Sequence, residues 1–232
     1  MKNLDKILCL HCYEDDERYN YITDVLSNVD LLDITYISEF TKLDINLYIG
    51  KSLDRLCDPY YDYCEKNIKS TIYANVFSCM YNWLQLISLA YYKYDNILCI
   101  EDDIKFDCNK ETFIDCIEKI PEDADIVLLG YRFSNGYKDN GFDEWIRIKN
   151  TELFTKINSN YKLTGMFAVW MNKRGMDYYL KYIQTNCCAS DLLFCNIDNE
   201  LQKEMNINIY VCNKATINHN FYLQSKIRKG VT

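Results

Sequence analysis

The chain has little of what breaks regular structure, with only 7 glycines and 2 prolines in 232 residues. That scarcity argues against long disordered linkers and predicts that helices and strands occupy most of the chain. It also lacks an uninterrupted apolar run long enough to cross a bilayer. Its most apolar region, Trp83 to Tyr92, is interrupted by Gln85 and Ser88. No secretory signal core is visible, because Met1 to Lys6 is polar and the apolar run from Ile7 to Leu10 is too short. A cytoplasmic protein with reduced, mostly buried thiols is therefore expected. Positive charge is in deficit: 26 Lys and Arg stand against 34 Asp and Glu, a formal net charge of −8. That balance disfavours a general binder of nucleic acid or anionic membrane. There is no internal repeat and no low-complexity segment.

Apolar residues, by contrast, make up 49% of the chain, enough for a substantial core in one large α/β domain. Twelve cysteines are present. Cys9-x-x-Cys12 has finger-like spacing, and structural zinc is the alternative it raises. It falls in a predicted strand, where positions three apart point to opposite faces, and no second such pair follows. The 21 tyrosines read first as codon bias, and second as a surface suited to stacking on sugars.

Along the chain, Lys6 to Cys12 reads as a buried strand, Asp15 to Leu26 as a helix and Leu31 to Ser38 as a second strand. An opening β-α-β favours a parallel sheet with crossover helices. Leu43 to Lys66 is irregular, and Lys69 to Tyr94 carries a long helical pattern. Asn96 to Ile100 is a short apolar strand, Lys110 to Ile120 a helix and Asp125 to Gly130 a buried strand. Tyr131 to Asn150 is polar and reads as a loop able to act as a lid. Leu163 to Met171 and Ile207 to Val211 are strands. Lys173 to Ile183 and Ser190 to Met205 are helices.

The most informative junction is the run of Asn96 to Ile100 into Glu101-Asp102-Asp103. A buried strand places these carboxylates at the carboxyl edge of the sheet, where open α/β folds bind ligands. In extended geometry Glu101 and Asp103 share a face. Two converging carboxylates are hard oxygen ligands for Mn²⁺ or Mg²⁺, and such an ion can neutralise the diphosphate of a nucleotide. A solvated acidic loop that merely caps the next element is the plain alternative. An aspartate-nucleophile hydrolase is disfavoured because the first acid is Glu101.

In this setting the chain resembles glycosyltransferase family 25, the group with lipooligosaccharide and collagen-type sugar transferases. Cys99-Ile100-Glu101-Asp102-Asp103-Ile104 is similar to its L-E-D-D core, and the helix from Ser78 to Tyr94 stands where the family has one. Asp125 to Gly130, Gly165 to Gly175, Ser190-Asp191-Leu192-Leu193-Phe194, Asn208 to Val211 and Ser225 to Ile227 resemble further family segments in the family's order. The chain departs from the family at Ser78 to Trp83, where the usual Ser-His pair is missing. The resemblance implies a GT-A-like fold over a single domain, residues 1–232. Residues 1–130 would form the nucleotide-sugar half and 131–232 the acceptor half.

The resemblance also implies site roles. Asp191 matches the family's helix-start acid and is expected to be the general base; its plain alternative is a helix cap. Glu17-Arg18 stands for part of the Arg-rich segment after the first strand, so Arg18 is expected at the nucleotide. His11 falls where base and ribose would lie, and Glu101 and Asp102 are expected beside the donor. Glu101, Asp103 and His219 are the expected metal ligands, the last completing the coordination from the region after the final strand. Lys226, Arg228 and Lys229 either close over the diphosphate or form a solvated tail.

The expected activity is metal-assisted transfer of a sugar from a UDP-sugar to an acceptor hydroxyl with inversion. A glycan is the first-choice acceptor, ahead of protein or modified nucleic acid. The alternatives are a metal-dependent nucleotidyltransferase and a non-catalytic nucleotide- or sugar-binding module.

Overall fold

A computed structural model describes residues 3–11, 16–28, 34–37, 70–133, 152–157, 163–186, 200–213 and 216–220. The strands are β1 (Lys6–Leu10), β2 (Ile34–Ile37), β3 (Asn96–Glu101), β4 (Ile104–Phe106), β5 (Ile126–Phe133), β6 (Phe154–Lys156), β7 (Leu163–Asn172), β8 (Ile209–Cys212) and β9 (Ile217–His219). The helices are α1 (Asp16–Asn28), α2 (Ser70–Lys93), α3 (Lys110–Glu118), α4 (Lys173–Asn186) and α5 (Glu200–Met205).

Seven strands form one sheet in the order β2-β1-β3-β7-β5-β8-β6. β1 pairs parallel with β2 and β3, and β5 pairs parallel with β8. β7 runs antiparallel between β3 and β5, and β6 runs antiparallel at the edge. Five strands therefore share one direction, and the fold is α/β with a mostly parallel sheet flanked by helices, as the opening β-α-β predicts. β4 and β9 form a separate antiparallel pair.

The alternation of strand side chains divides the core in two. Leu8, Leu10, Ile97, Cys99, Ile126, Leu128, Val169 and Met171 face a layer containing Trp83, Leu86 and Ile87 of α2 and Met176 and Tyr179 of α4. Ile7, Cys9, Leu98, Ile100, Val127, Leu129, Ala168 and Trp170 face Ile22 and Leu26 of α1 and Phe113 and Ile117 of α3. Both faces of the central strands are thus covered, which explains their nearly continuous apolar sequences. Ile22 and Leu26 are 0% and 3% exposed, and each contributes on the order of 1.5–3 kcal/mol.

Several elements differ from the sequence expectation. β5 continues through Tyr131 to Phe133, three residues into the expected loop, because Arg132 and Phe133 keep pairing with Thr164 and Leu163 of β7. The rest of that loop lies outside the described residues. The helix expected over Ser190 to Met205 is described only over Glu200–Met205. The three-residue strands β4, β6 and β9 are additions, held by partners far away in sequence.

α4 starts against β5 with almost no clearance. Asn172 accepts the Gly175 N–H at 2.8 Å and donates to Asp125 Oδ1 at 3.0 Å, so one side chain caps the helix and ties it to the strand. A Cβ on Gly175 would lie 2.1 Å from the Asp125 carbonyl oxygen and 2.9 Å from Ile126 Cγ1. Backbone cannot yield as a flexible side chain does. Gly175→Ala should therefore lose about 1–3 kcal/mol to overpacking, more than the roughly 1 kcal/mol by which Ala favours a helix over Gly. A lower denaturation midpoint with an unchanged m value is expected; an equal or higher midpoint would show that the helix start shifts freely.

Candidate functional site

The acidic triplet lies at the carboxyl edge of β3, and the register of the sheet decides what it meets. β1 and β3 are parallel, with Leu10 opposite Glu101. One step further, His11 stands beside Asp102. Both continue the rows of Cys9 and of Leu98 and Ile100, which face α1. His11 Nδ1 accordingly lies 2.9 Å from Asp102 Oδ2, with both side chains buried.

α1 supplies the third member. Arg18, Ile22 and Leu26 are spaced four apart and share one stripe of the helix. The two apolar members pack into the core, and the guanidinium at the top of the stripe reaches the acids. Arg18 Nη1 donates to Asp102 Oδ1 at 2.7 Å, and Nη2 donates to Asp103 Oδ2 at 2.9 Å. The fork therefore bridges two consecutive carboxylates, one nitrogen to each, in a geometry that the rigid plane of the guanidinium fixes. Arg18 is 14% exposed and the carboxylates are 6% and 7% exposed, so the bridge is shielded from water.

Asp102 and Asp103 are in a turn and not in extended chain. The turn brings Asp102 and Asp103 together on Arg18. Glu101 ends β3 and is half-buried. The chain then enters β4, which pairs with β9 so that Ile104 is opposite His219. The Asn220 N–H donates to the Asp103 carbonyl at 2.7 Å. The backbone of His219 thus runs directly beside the acidic turn, while its side chain lies outside the described residues.

Two contacts here have no counterpart in the sequence reasoning. Tyr21 donates its hydroxyl to the Ile104 carbonyl at 2.9 Å, pinning α1 to the exit of the turn. Burial pushes its phenol upward, against the opposing effect of a hydrogen bond with Asn220. The Tyr19 ring tilts against His11 with centroids 5.5 Å apart. The spacing of Arg18 and Tyr21, one helical turn apart, is the signal that was legible for this face of α1.

Cys9 lies beneath the acids. Burial, then the negative charge of Asp102, Glu101 and Asp103, pushes its thiol well up. Zinc needs a thiolate, so these surroundings oppose the Cys9-x-x-Cys12 alternative; Cys12 lies outside the described residues. Among the described residues, no three His, Cys, Asp or Glu side chains converge as a metal centre. The carboxylate oxygens nevertheless have the chemistry that suits Mg²⁺ or Mn²⁺. Asp191, Lys226, Arg228 and Lys229 lie outside the described residues. Among the described residues no helix is long and apolar enough to cross a membrane.

No protein-family model and no curated protein matches the chain. Solved structures with a similar course of the chain include mouse xyloside xylosyltransferase 1, at 11% identity and a TM-score of 0.46, covering 95% of this chain and 99% of that one. A glycosyltransferase involved in glycosylation of the major capsid of PBCV-1 is 7% identical, with a TM-score of 0.45 and 95% of each chain covered. The 4-diphosphocytidyl-2C-methyl-D-erythritol synthase of Anaerococcus prevotii is 10% identical, with a TM-score of 0.42, covering 97% of this chain and 92% of that one. At these identities and scores, no activity carries across from them to this chain.

Proposed function

We propose that this protein transfers a sugar from a nucleoside diphosphate sugar, a UDP-sugar in the first instance, to the hydroxyl of a glycan acceptor. The observation that carries this reading is the cluster of His11, Arg18, Asp102 and Asp103 at the carboxyl edge of a mostly parallel sheet. That edge is where α/β folds bind nucleotides. A diphosphate is anionic and so are the residues of the turn, so the two need a cation between them. Glu101 and Asp103 would supply hard oxygens for Mn²⁺ or Mg²⁺, and His219 would be the third ligand. When bound, the ion would stabilise the negative charge that builds on the departing diphosphate.

The chain's own residues carry the remaining tasks. His11 and Asp102, paired at the sheet edge, would contact the nucleoside, and Arg18 would supply positive charge for phosphate oxygens. Asp191 takes the proton of the acceptor hydroxyl. The acceptor oxygen forms its bond to the anomeric carbon as the carbon–oxygen bond to the diphosphate breaks. The diphosphate leaves with the electron pair, and the sugar's configuration inverts.

Two variants test this. Asp103→Ala should lose metal-dependent UDP binding, measured by calorimetry with and without Mn²⁺; unchanged metal-dependent affinity would exclude Asp103 as a ligand. Asp191→Asn should lower turnover by roughly two to four orders of magnitude with donor affinity preserved, because an amide cannot take the acceptor's proton. If Asp191 only caps a helix, stability falls by up to about 1 kcal/mol and turnover per folded molecule is nearly normal. The released product separates the enzyme classes. A nucleoside diphosphate marks the sugar transferase and pyrophosphate marks a nucleotidyltransferase. Binding with no release from any donor marks a non-catalytic module.

A further inference from the structure

Away from the acidic turn, three thiols lie together. Cys116 of α3 and Cys212 at the end of β8 are buried, and their sulfurs are 3.6 Å apart although 96 positions separate them in the sequence. A disulfide holds its sulfurs about 2.0 Å apart, so the two need to close by roughly 1.6 Å. Cys108, just before the N-cap Asn109 of α3, is half-buried and donates its thiol to the Thr216 carbonyl at 3.5 Å. It is close enough to the buried pair that negative charge on one of the three sulfurs opposes charge on the others.

The pair joins two chain segments that run side by side to the acidic turn. From the thiols outward, the Asp107 N–H donates to the Thr216 carbonyl at 3.0 Å, Phe106 pairs with Ile217, and Ile104 pairs with His219. The Asn220 N–H then meets the Asp103 carbonyl. This arm is a ladder of three residues on each side, and so short a ladder opens locally more readily than the central strands.

We infer that Cys116 and Cys212 form a reversible disulfide, loaded through Cys108, that clamps the arm beside the acidic turn. The oxidant is a small-molecule disulfide such as oxidised glutathione. The Cys108 thiolate attacks one of its sulfurs, and one glutathione thiol leaves. A thiolate of the pair attacks the Cys108 sulfur, and the second glutathione leaves. The remaining member attacks its partner's sulfur, and Cys108 departs as a thiol. Two cysteine thiols have then lost two electrons and two protons, and one small disulfide has become two thiols. The loading thiol is needed because Cys212 and Cys116 are 1% and 2% exposed. The hydrogen bond with Cys212, then burial, also pushes the Cys116 thiol up. A buried, protonated thiol does not react directly with a reagent in solution, so the transfer proceeds as the arm opens.

Oxidised glutathione added to the full chain tests this. Peptide mapping under non-reducing conditions should find Cys116 joined to Cys212, and dithiothreitol should release the link. The link should raise the melting temperature by about 4–16 °C. It should also slow amide exchange in residues 104–106 and 217–220. Both changes are read on the wild-type chain before and after reduction, so they do not depend on a variant that folds. Cys116→Ala should show neither. Cys108→Ala should reach the same link about tenfold more slowly. Cys116 and Cys212 that both remain alkylatable, or that join other cysteines, overturn the disulfide. A link that leaves exchange in the arm unchanged overturns the clamp, and a Cys108→Ala chain that oxidises as fast as wild type overturns the loading through Cys108.

Discussion

The hydrogen-bonded bridge from Arg18 to Asp102 and Asp103 is the interaction on which the sheet edge depends. Three elements meet there: α1 through the guanidinium, β1 through His11 and the exit of β3 through the acids. The cluster contains buried charge, and buried ion pairs rarely add net stability over apolar residues of the same shape. Asp102 and Asp103 are nonetheless 4% and 5% exposed, held by charge-assisted hydrogen bonds in an otherwise apolar neighbourhood. A core built for stability alone would have continued the Leu98 and Ile100 row with another aliphatic residue. The acids therefore mark a place where the fold accepts a cost that its packing does not require.

Packing nevertheless sets the geometry. Parallel register aligns Leu10 with Glu101, so the next residues, His11 and Asp102, are neighbours where the turn begins. The same alternation that sends Cys9 and Ile100 toward α1 sends His11 and Asp102 there too. α1 is oriented by Ile22 and Leu26, which fixes where Arg18 emerges. The short β4–β9 ladder and the Asn220 bond to the Asp103 carbonyl then hold the turn from its other side. Precision at the site follows from rows that are buried for ordinary hydrophobic reasons.

Much of this was legible in the sequence, because the strong signals are local. Asn96 to Ile100 running into three acids announced both the strand and its carboxyl edge, and α1, α2 and α4 followed from helical spacing. Gly175 ends one of the segments that resemble the family, and a reason for glycine there is the closeness of the Asp125 carbonyl. The signals that failed are long-range. β4, β6 and β9 are three residues each and exist only because partners 54 to 115 positions away in sequence supply the ladder, so no local pattern encodes them. The convergence of Asp102 and Asp103 on one guanidinium depends on the turn at these two residues, which no local pattern announced. His11 and Arg18 were each placed near the nucleotide separately. That they converge on one carboxylate is a property of sheet register and helix position together.

The electrostatics of the edge also constrain how any ligand can occupy it. Burial lowers the effective dielectric, so the attraction of Arg18 for the acids and the repulsion of an added anion or cation are both larger than at a surface. Cys9 lies in the same field, where burial and then the charge of the carboxylates above it push its thiol well up.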